Sequence, residues 1–145
     1  MTIHDYTISV PFVAGKERPR HHGNVTYTPA KTRHFEQAIR AAYERAVADK
    51  GGTVADYRAP KHVSVSVTIW TQRPLPKSRA KKISTEEDTY KPDADNICKL
   101  CLDALNDVAW ADDAQVTELR VTKGDRLRKT EHDKTNIRVI WSTND

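Results

Sequence analysis

The sequence lacks any apolar run that approaches the roughly 20 residues of a membrane-spanning helix. Its start, MTIHDYTISV, also lacks the charged and apolar regions of a signal peptide. Glycine is scarce, with 5 residues, and none of them forms the glycine-rich loop of a nucleotide-binding domain. We therefore expect a cytoplasmic protein without a membrane span.

Cysteine is nearly absent, since Cys98 and Cys101 are the only 2 and form a single C-x-x-C pair. A functional interpretation of this pair would be half of a zinc site or a redox pair. The chain has no second C-x-x-C that would complete a zinc site. Both residues fall on or beside the apolar face of a predicted helix, and free cysteine behaves as a small buried hydrophobe. We therefore predict that they pack in the core.

Positive charge is in excess: 24 Lys and Arg against 20 Asp and Glu give a net charge of +4 and a pI near 9.1. This balance favours an anionic partner, with nucleic acid as the default and a membrane surface as the alternative. A chain of 145 residues has the size of a single domain and can bury a real core.

One stretch, residues 91–118, reverses this balance, and we call it the acidic segment. Its only bases are Lys91 and Lys99, whereas seven residues are acids: Asp93, Asp95, Asp103, Asp107, Asp112, Asp113 and Glu118. Crowded carboxylates repel one another unless a cation intervenes. Mg²⁺ takes such oxygen ligands, often together with a substrate phosphate. An acidic segment in a basic chain is therefore what a metal-dependent enzyme acting on a polyanion requires.

The acidic segment contains an amphipathic helix. From Ile97 its apolar residues recur at i, i+3, i+4, i+7 and i+8, which predicts a helix that ends near Asn106. Asp95 suits the N-cap or first turn, where an acid also favours the helix dipole. Lys99 and Asp103 follow Asp95 on the polar face at i+4 and i+8.

The end of the acidic segment leads into a strand. Asp112 and Asp113 precede an alternating stretch, residues 116–123, which predicts a strand. If this strand lies beside the start of the helix, one of these two aspartates meets Asp93 and Asp95. Three carboxylates and a lysine would then surround one point.

The rest of the chain supplies the remaining elements. Alternating apolar residues predict strands over 6–12, 63–70 and 135–141. A 3.6-residue period predicts a helix from the N-cap Thr28 to about Lys50, where glycines end it. The resulting order is β-α-β-α-β-β, and we predict a single-domain α+β fold with a small mixed sheet and packed helices.

Two aperiodic stretches are predicted as loops that contact the phosphate backbone of a nucleic acid. The first spans residues 14–26, and the second, residues 71–90, is long enough for a mobile arm that closes on the nucleic acid. Their predicted nucleic-acid-binding residues are Lys16, Arg18, Arg20, Arg73, Lys77, Arg79, Lys81 and Lys82. Between the last two strands, residues 124–134 predict the charged tip of a long hairpin.

The acidic segment resembles the signature of the RusA family of Holliday junction resolvases, which occur in bacteria and their prophages. That family reads D-x-D-N-x-x-K, then D-A-L, then a Trp shortly before D-D-x-Q-V. This sequence has D-A-D-N-I-C-K from Asp93, D-A-L from Asp103, then Trp110, and D-D-A-Q-V from Asp112. Because identity and spacing agree across two elements, the match is far more specific than a lone D-x-D.

The resemblance implies an endodeoxyribonuclease that resolves four-way DNA junctions by paired symmetrical nicks, as a homodimer with Mg²⁺ or, alternatively, Mn²⁺. It implies three metal-binding, catalytic aspartates and one essential lysine: Asp93, Asp95, Asp113 and Lys99. Asp112 and Asp103 are second-tier candidates that could orient these groups. Without the resemblance, the residues indicate only a metal-dependent enzyme acting on a phosphate polymer.

Two other classes stay open. One is a non-catalytic junction-binding protein of prophage origin, against which the intact Asp93, Asp95 and Lys99 argue. The other is a D-x-D metal-dependent transferase, which usually needs a nucleotide-binding domain that this chain is too short to contain. A purely structural interpretation, helix capping plus solvated acids, explains Asp95 and Asp103 but not the clustering with Asp113.

Overall fold

The structure, a computed structural model, describes residues 1–144 and contains two long helices and ten further short or extended elements. In chain order these are β1 (Thr2–Val10), β2 (Arg20–His22), β3 (Val25–Tyr27), α1 (Ala30–Asp49), a 3₁₀ turn (Val54–Asp56), β4 (Val65–Gln72), β5 (Thr85–Glu86), α2 (Ala94–Leu105), a second 3₁₀ turn (Asp113–Gln115), β6 (Val116–Lys123), β7 (Arg126–Leu127) and β8 (Lys134–Thr143).

The four long strands form one sheet in the order β1-β8-β4-β6. Strand β8 is antiparallel to both of its neighbours, whereas β6 runs parallel to β4. With α1 and α2 between them, these strands follow the order β-α-β-α-β-β. The predicted α+β fold with a mixed sheet and packed helices is therefore confirmed.

The hydrophobic core lies between the sheet and the helices. In β4, Val65, Val67 and Ile69 are fully buried, while the residues between them are half-exposed on the other face. The predicted apolar face of α2 is buried along its length: Ile97, Leu100, Cys101, Ala104 and Leu105. Trp110 follows α2 and is the largest fully buried side chain. Burial of one aliphatic side chain, such as that of Leu100, stabilises the fold by roughly 1.5–3 kcal/mol.

Helix α1 begins slightly later than predicted. Its N-cap is Pro29, with φ −54° and ψ 141°, and no side chain caps the helix, so the predicted cap at Thr28 is wrong by one position. The predicted end is confirmed, because Gly51 adopts a positive φ of 74° directly after the last turn. Within residues 1–144, neither helix combines the length and the apolarity that crossing a bilayer requires.

The predicted long hairpin between the last two strands is wrong. Strand β4 lies between β6 and β8 in the sheet, so these two strands are not neighbours. The connecting segment instead carries β7, which pairs with β5. A parallel β4–β6 pair and an antiparallel β4–β8 pair satisfy both edges of the most buried strand.

The first predicted loop is also more ordered than expected. Residues 20–27 form an exposed hairpin of β2 and β3, with Gly23 at a positive φ of 62° in its turn. Thr26 and His21 face each other across it, with Oγ1 and Nδ1 3.0 Å apart. Glycine tolerates the left-handed backbone that this turn requires, which explains a hairpin where the sequence showed no periodicity.

The second predicted loop is not structureless. Arg73 donates two hydrogen bonds, of 2.9 and 2.6 Å, to the buried carboxylate of Asp88. Burial alone would raise the pKa of Asp88, but the bonds and charge of Arg73 outweigh it and leave the pKa lowered. Arg79 binds Glu86 with bonds of 2.7 and 3.2 Å. We call residues 73–90 the arm, and these ion pairs close it on itself.

Candidate active site

The first part of the site is the turn that enters α2. Asp93 is the N-cap residue, with extended φ −69° and ψ 151°, and its side chain makes no capping hydrogen bond. Its backbone carbonyl accepts the first helical bond, from Ile97 N at 3.0 Å. Asp95 lies in the first turn, as predicted. Both carboxylates are solvent-exposed and have no hydrogen-bond or ion-pair partner among residues 1–144.

The segment after β1 holds this turn in place. The backbone N–H of Lys16 donates to the carbonyl of Asn96 at 2.9 Å. A Cβ added to Gly15 would lie 2.9 Å from Cβ of Pro92, closer than carbon atoms pack. Only glycine therefore lets the chain approach the residue that precedes Asp93 so closely.

Lys99 lies one turn further along α2, on the same exposed face as Asp95 and Asp103. Its side chain is exposed and has no acidic partner within the described chain. The amine of Lys99 is therefore available to an external anion, which the predicted role of this residue requires.

Asp113 is held by the core. The indole Nε1 of the fully buried Trp110 donates to Oδ1 of Asp113 at 2.8 Å. This bond fixes one carboxylate oxygen, and Oδ2 has no protein partner in residues 1–144. Trp110 thus does more than anchor the segment: it aims one particular aspartate.

Asp112 has a different, local role. Its Oδ1 accepts from Ala114 N at 3.0 Å, and it forms a reciprocal capping box with Gln115. The amide of Gln115 in turn donates to the carbonyls of Pro60 and Val63, at 2.9 and 3.1 Å. Asp112 therefore shapes the turn that presents Asp113.

Cys98 shows how the two parts of the site lie relative to each other. Burial raises the pKa of its thiol, and the negative charges of Asp113 and Asp95 raise it further. The two carboxylates, from the second 3₁₀ turn and from α2, therefore lie within electrostatic range of one half-buried thiol. Among residues 1–144, however, no three Asp, Glu, His or Cys side chains are already gathered tightly enough to hold a metal ion.

Cys101 has no share in this arrangement. It is fully buried against the core, and burial raises the pKa of its thiol to about 12. The predicted packing role is therefore confirmed for Cys101, and both thiols are free.

Asp103, the other second-tier candidate, points to a different cluster. Lys16 Nζ lies 3.1 Å from its Oδ2 and 3.3 Å from Oε2 of Glu36. Burial opposes the charge on Lys16, but these two acids outweigh it and raise its pKa. Twenty residues separate Lys16 from Glu36 in the chain, and no periodic pattern indicated the pairing.

The predicted DNA-binding residues divide into two groups. Four have acidic partners. Lys16 lies beside Asp103 and Glu36, Arg20 lies 3.7 Å from Glu17, and Arg73 and Arg79 bind acids of the arm. The others are exposed and have no acidic partner among residues 1–144: Arg18, Lys77, Lys81 and Lys82.

Sequence reasoning missed the residues that attach the arm to the body of the protein. Arg128 donates to the backbone carbonyls of Ala80 and Ile83, at 2.8 and 2.7 Å. Lys123 donates to the carbonyl of Tyr90, immediately before the acidic segment. Both bases lie in or beside residues 124–134, which were predicted as the charged tip of a hairpin. Charged residues at such a tip are expected to be solvated, so the sequence did not indicate that these two attach the arm.

Comparison with known proteins shows the family of the chain. The family model described as Endodeoxyribonuclease RusA matches residues 9–140, which include every predicted site residue. The chain is also 34% identical over 106 residues to the Uncharacterized protein YqaN of Bacillus subtilis (strain 168), a match covering 66% of this chain and 66% of that protein. The chain therefore belongs to the RusA family of endodeoxyribonucleases.

Proposed function

We propose that the protein is a Mg²⁺-dependent endodeoxyribonuclease that resolves four-way Holliday junctions by paired symmetrical nicks. The observation that carries this proposal is a set of available carboxylates on two elements that follow each other in the chain: Asp93 and Asp95 are exposed at the start of α2, and Asp113 is held by the buried Trp110. Membership of the RusA family supports DNA as the substrate. The net charge of +4 is in keeping with a polyanionic partner.

The residues fit a hard divalent cation. Asp93, Asp95 and Asp113 offer only carboxylate oxygens, which Mg²⁺ prefers and Mn²⁺ accepts. Asp93 and Asp95 are exposed, and Trp110 leaves one oxygen of Asp113 without a protein partner in residues 1–144, so all three carboxylates are available to a cation. When bound, the ion would polarise the scissile phosphate, lower the pKa of a water molecule and stabilise the leaving oxygen.

Lys99 supplies the positive charge at this site. Its ammonium group would stabilise charge on the phosphate in the transition state or orient the attacking water. The absence of an acidic partner among residues 1–144 supports this role, because an ion-paired lysine would first have to be released. Asp112 and Asp103 act only indirectly, through the turn before β6 and through Lys16.

The DNA backbone would be contacted chiefly by the basic residues that have no acidic partner: Arg18, Lys77, Lys81 and Lys82. Arg73 and Arg79 instead keep the arm folded, so that its lysines are presented from an ordered scaffold. Phosphate contacts of this kind position the enzyme but do not select a base sequence.

A four-way junction has two strands to cut, related by an approximate two-fold axis. One chain offers one site of this kind, and a C2 homodimer would present two in matching orientation. We therefore propose that the active species is a homodimer.

A cleavage assay on a synthetic four-way junction tests the proposal. We expect cleavage with Mg²⁺ or Mn²⁺, none in EDTA, and little on linear duplex of the same sequence. Asp95→Asn should abolish cleavage while junction binding persists, because the variant loses a metal ligand but also loses repulsion of phosphate.

Three outcomes would count against it. Full activity in EDTA contradicts the metal site, and equal cleavage of linear duplex contradicts the junction as substrate. Junction binding without cleavage under all metal conditions would favour the alternative hypothesis of a non-catalytic junction-binding protein.

A further inference from the structure

A cavity of about 480 Å³ lies beside the turn that presents Asp113. Its walls come from two segments of the chain, residues 61–64 before β4 and residues 111–117 around the second 3₁₀ turn. Asp113 does not line the cavity, but both of its neighbours in the chain, Asp112 and Ala114, do. Because successive Cα atoms are about 3.8 Å apart, a group bound at Asp112 would lie next to whatever Asp113 holds.

The side chain of Gln115 joins the two walls of this cavity. Its Oε1 accepts from the backbone N–H groups of Ala111 and Asp112, at 2.9 and 3.2 Å. Its Nε2 donates to the backbone carbonyls of Pro60 and Val63. The amide has thus used all of its hydrogen-bonding capacity within the protein, and it braces the walls instead of binding a ligand. The cavity is therefore pre-formed, and its volume falls within the roughly 300–1,000 Å³ of sites for small molecules.

The first wall presents an aromatic ring and a positive charge. His62 has a positive φ of 69°, a left-handed backbone that residues other than glycine seldom adopt. Its side chain is exposed and makes no hydrogen bond, ion pair or ring contact within residues 1–144. The neighbouring Lys61 is exposed and likewise has no acidic partner in this range. Backbone of this kind is found disproportionately at binding sites, and here no contact of the His62 ring accounts for it.

The second wall presents a hydrogen-bond acceptor. The Asp112 carboxylate accepts from the N–H groups of Ala114 and Gln115 in its capping box. An ionised carboxylate can accept about four hydrogen bonds, so roughly half of its capacity is left. Asp112 is exposed, and this remaining capacity is available to a donor that enters the cavity.

These groups together match a nucleotide. A flat base can stack on an imidazole ring, as unpaired bases do on histidine in other nucleic-acid-binding proteins. An exocyclic amine of the base can donate to the carboxylate of Asp112, and the ammonium group of Lys61 can contact a phosphate. Val63, Ala111 and Ala114 supply the apolar part of the lining.

We propose that the cavity binds one unpaired base of the cut strand, next to the scissile phosphate, and that Asp112 selects bases with an exocyclic amine. The inference rests on the proposed function and adds a sequence preference at the site of cleavage. Extruding a base from the stack costs least where pairing is already interrupted, as at the branch point of a junction. Thymine is the one DNA base without an exocyclic amine, so it should be disfavoured at this position.

Cleavage of a series of synthetic junctions tests the preference. The junctions differ only at one of the two nucleotides that flank the scissile phosphate, which is A, C, G, T or abasic. At one of these two positions, we expect the wild type to cleave the T and abasic junctions about tenfold more slowly than the others, the loss of one hydrogen bond to a charged group.

His62→Gly removes the ring but keeps the backbone, because glycine adopts a positive φ without strain. This variant should cleave all five junctions at about the rate of the wild type on the abasic junction. Asp107→Gly is the matched control, since Asp107 also has a positive φ, of 65°, is exposed and lies outside the cavity. It should keep the preference of the wild type.

Asp112→Asn should invert the preference. Asparagine caps the turn as well as aspartate does, but its oxygen is then held by the N–H groups of the turn, so its amino group faces the cavity. An amino group donates to the carbonyl oxygens of thymine. We expect thymine to become a favoured base, while the rate averaged over the four bases changes little.

Binding of a fluorescent base gives a readout that does not require cleavage. The base 2-aminopurine, which carries an exocyclic amine, is placed at the preferred position of the junction, and its fluorescence rises when it leaves the stack. Asp95→Asn in EDTA should cause this rise, and the double variant with His62→Gly should not.

The outcomes separate this inference from the proposed function. A fluorescence rise that depends on His62, without cleavage of any junction, overturns the nuclease and supports the cavity as a base-binding site. Equal cleavage of all five junctions overturns the cavity and leaves the nuclease. A slower His62→Gly that keeps the wild-type preference would show that His62 has only a structural role, and it also overturns the inference. Tight binding of free deoxycytidine monophosphate without any effect of the base at the cut would identify a free nucleotide as the occupant instead.

Discussion

The indole Nε1 of Trp110 donates a 2.8 Å hydrogen bond to Oδ1 of Asp113. The donor is the largest fully buried side chain of the protein, and the acceptor is one of the three carboxylates proposed to hold the metal. The position of this carboxylate is thus set by the packing of the core. A side chain fixed in this way needs little reordering when a cation arrives.

Trp110→Phe should separate the positioning of Asp113 by Trp110 from the contribution of Trp110 to core packing. The ring remains apolar, but the bond to a charged acceptor is lost, and such bonds are worth about 1.5–3 kcal/mol. We expect cleavage to fall about tenfold or more, with a raised metal requirement. Trp141→Phe, at another buried tryptophan that stacks on His4, is the control. Equal losses in both variants would mean that only packing is involved.

The sequence predicted the elements that carry a strong period. The buried stripe of α2 repeats every three or four residues, so the helix and the place of Asp95 in its first turn could be predicted. The alternation in β6 gave its bounds, Val116–Lys123. Neither pattern contains information on which strand lies beside which.

The rest depended on contacts between distant residues. The insertion of β4 between β6 and β8 and the bond from Arg73 to Asp88 arise from tertiary packing, which leaves no local signal. The place of Asp112 and Asp113 had a local cause, since Asp112 begins a capping box completed by Gln115. That motif, D-x-x-Q, could have been recognised from the sequence.

Asp113→Asn and Asp112→Asn should therefore differ. Asparagine caps helices about as well as aspartate, so Asp112→Asn should keep the turn and most of the activity. Asp113→Asn removes a charge from the proposed metal site and should abolish cleavage. Initial rates on a synthetic junction measure both. An inactive Asp112→Asn beside an active Asp113→Asn would reassign the ligand to Asp112.

Lys99→Ala should lower the rate far more than the affinity. One lysine is a small part of the total phosphate contact, whereas a charge at the reacting phosphate acts mainly in the transition state. Single-turnover rates and binding titrations on the same junction separate the two effects. Lys77→Ala, at an exposed lysine proposed to contact the DNA backbone, is the comparison variant and should lower the affinity more than the rate. Equal losses of rate and affinity in Lys99→Ala would instead identify Lys99 as a contact to the DNA backbone.

The arm should show the reverse behaviour. Replacing Lys81 and Lys82 with alanine removes two exposed charges and should weaken junction binding and flatten its dependence on salt. Arg79→Ala instead breaks the contact with Glu86, so we expect a more protease-sensitive arm with a smaller change in the salt dependence. An unchanged salt dependence in the lysine variant would mean that Lys81 and Lys82 are solvated and do not contact the DNA.

The symmetry of cleavage gives the most direct test of a resolvase. If each subunit cuts one strand, a dimer with two intact sites should convert a cruciform plasmid to linear DNA within one binding event. A mixed dimer, purified through two different tags from a wild-type and an Asp95→Asn chain, should nick only once and yield open circles. The Asp95→Asn homodimer should bind the cruciform and leave it supercoiled. Linear product from the mixed dimer would show that one site cuts both strands in turn, and open circles from the wild type throughout the time course would indicate a structure-selective nickase.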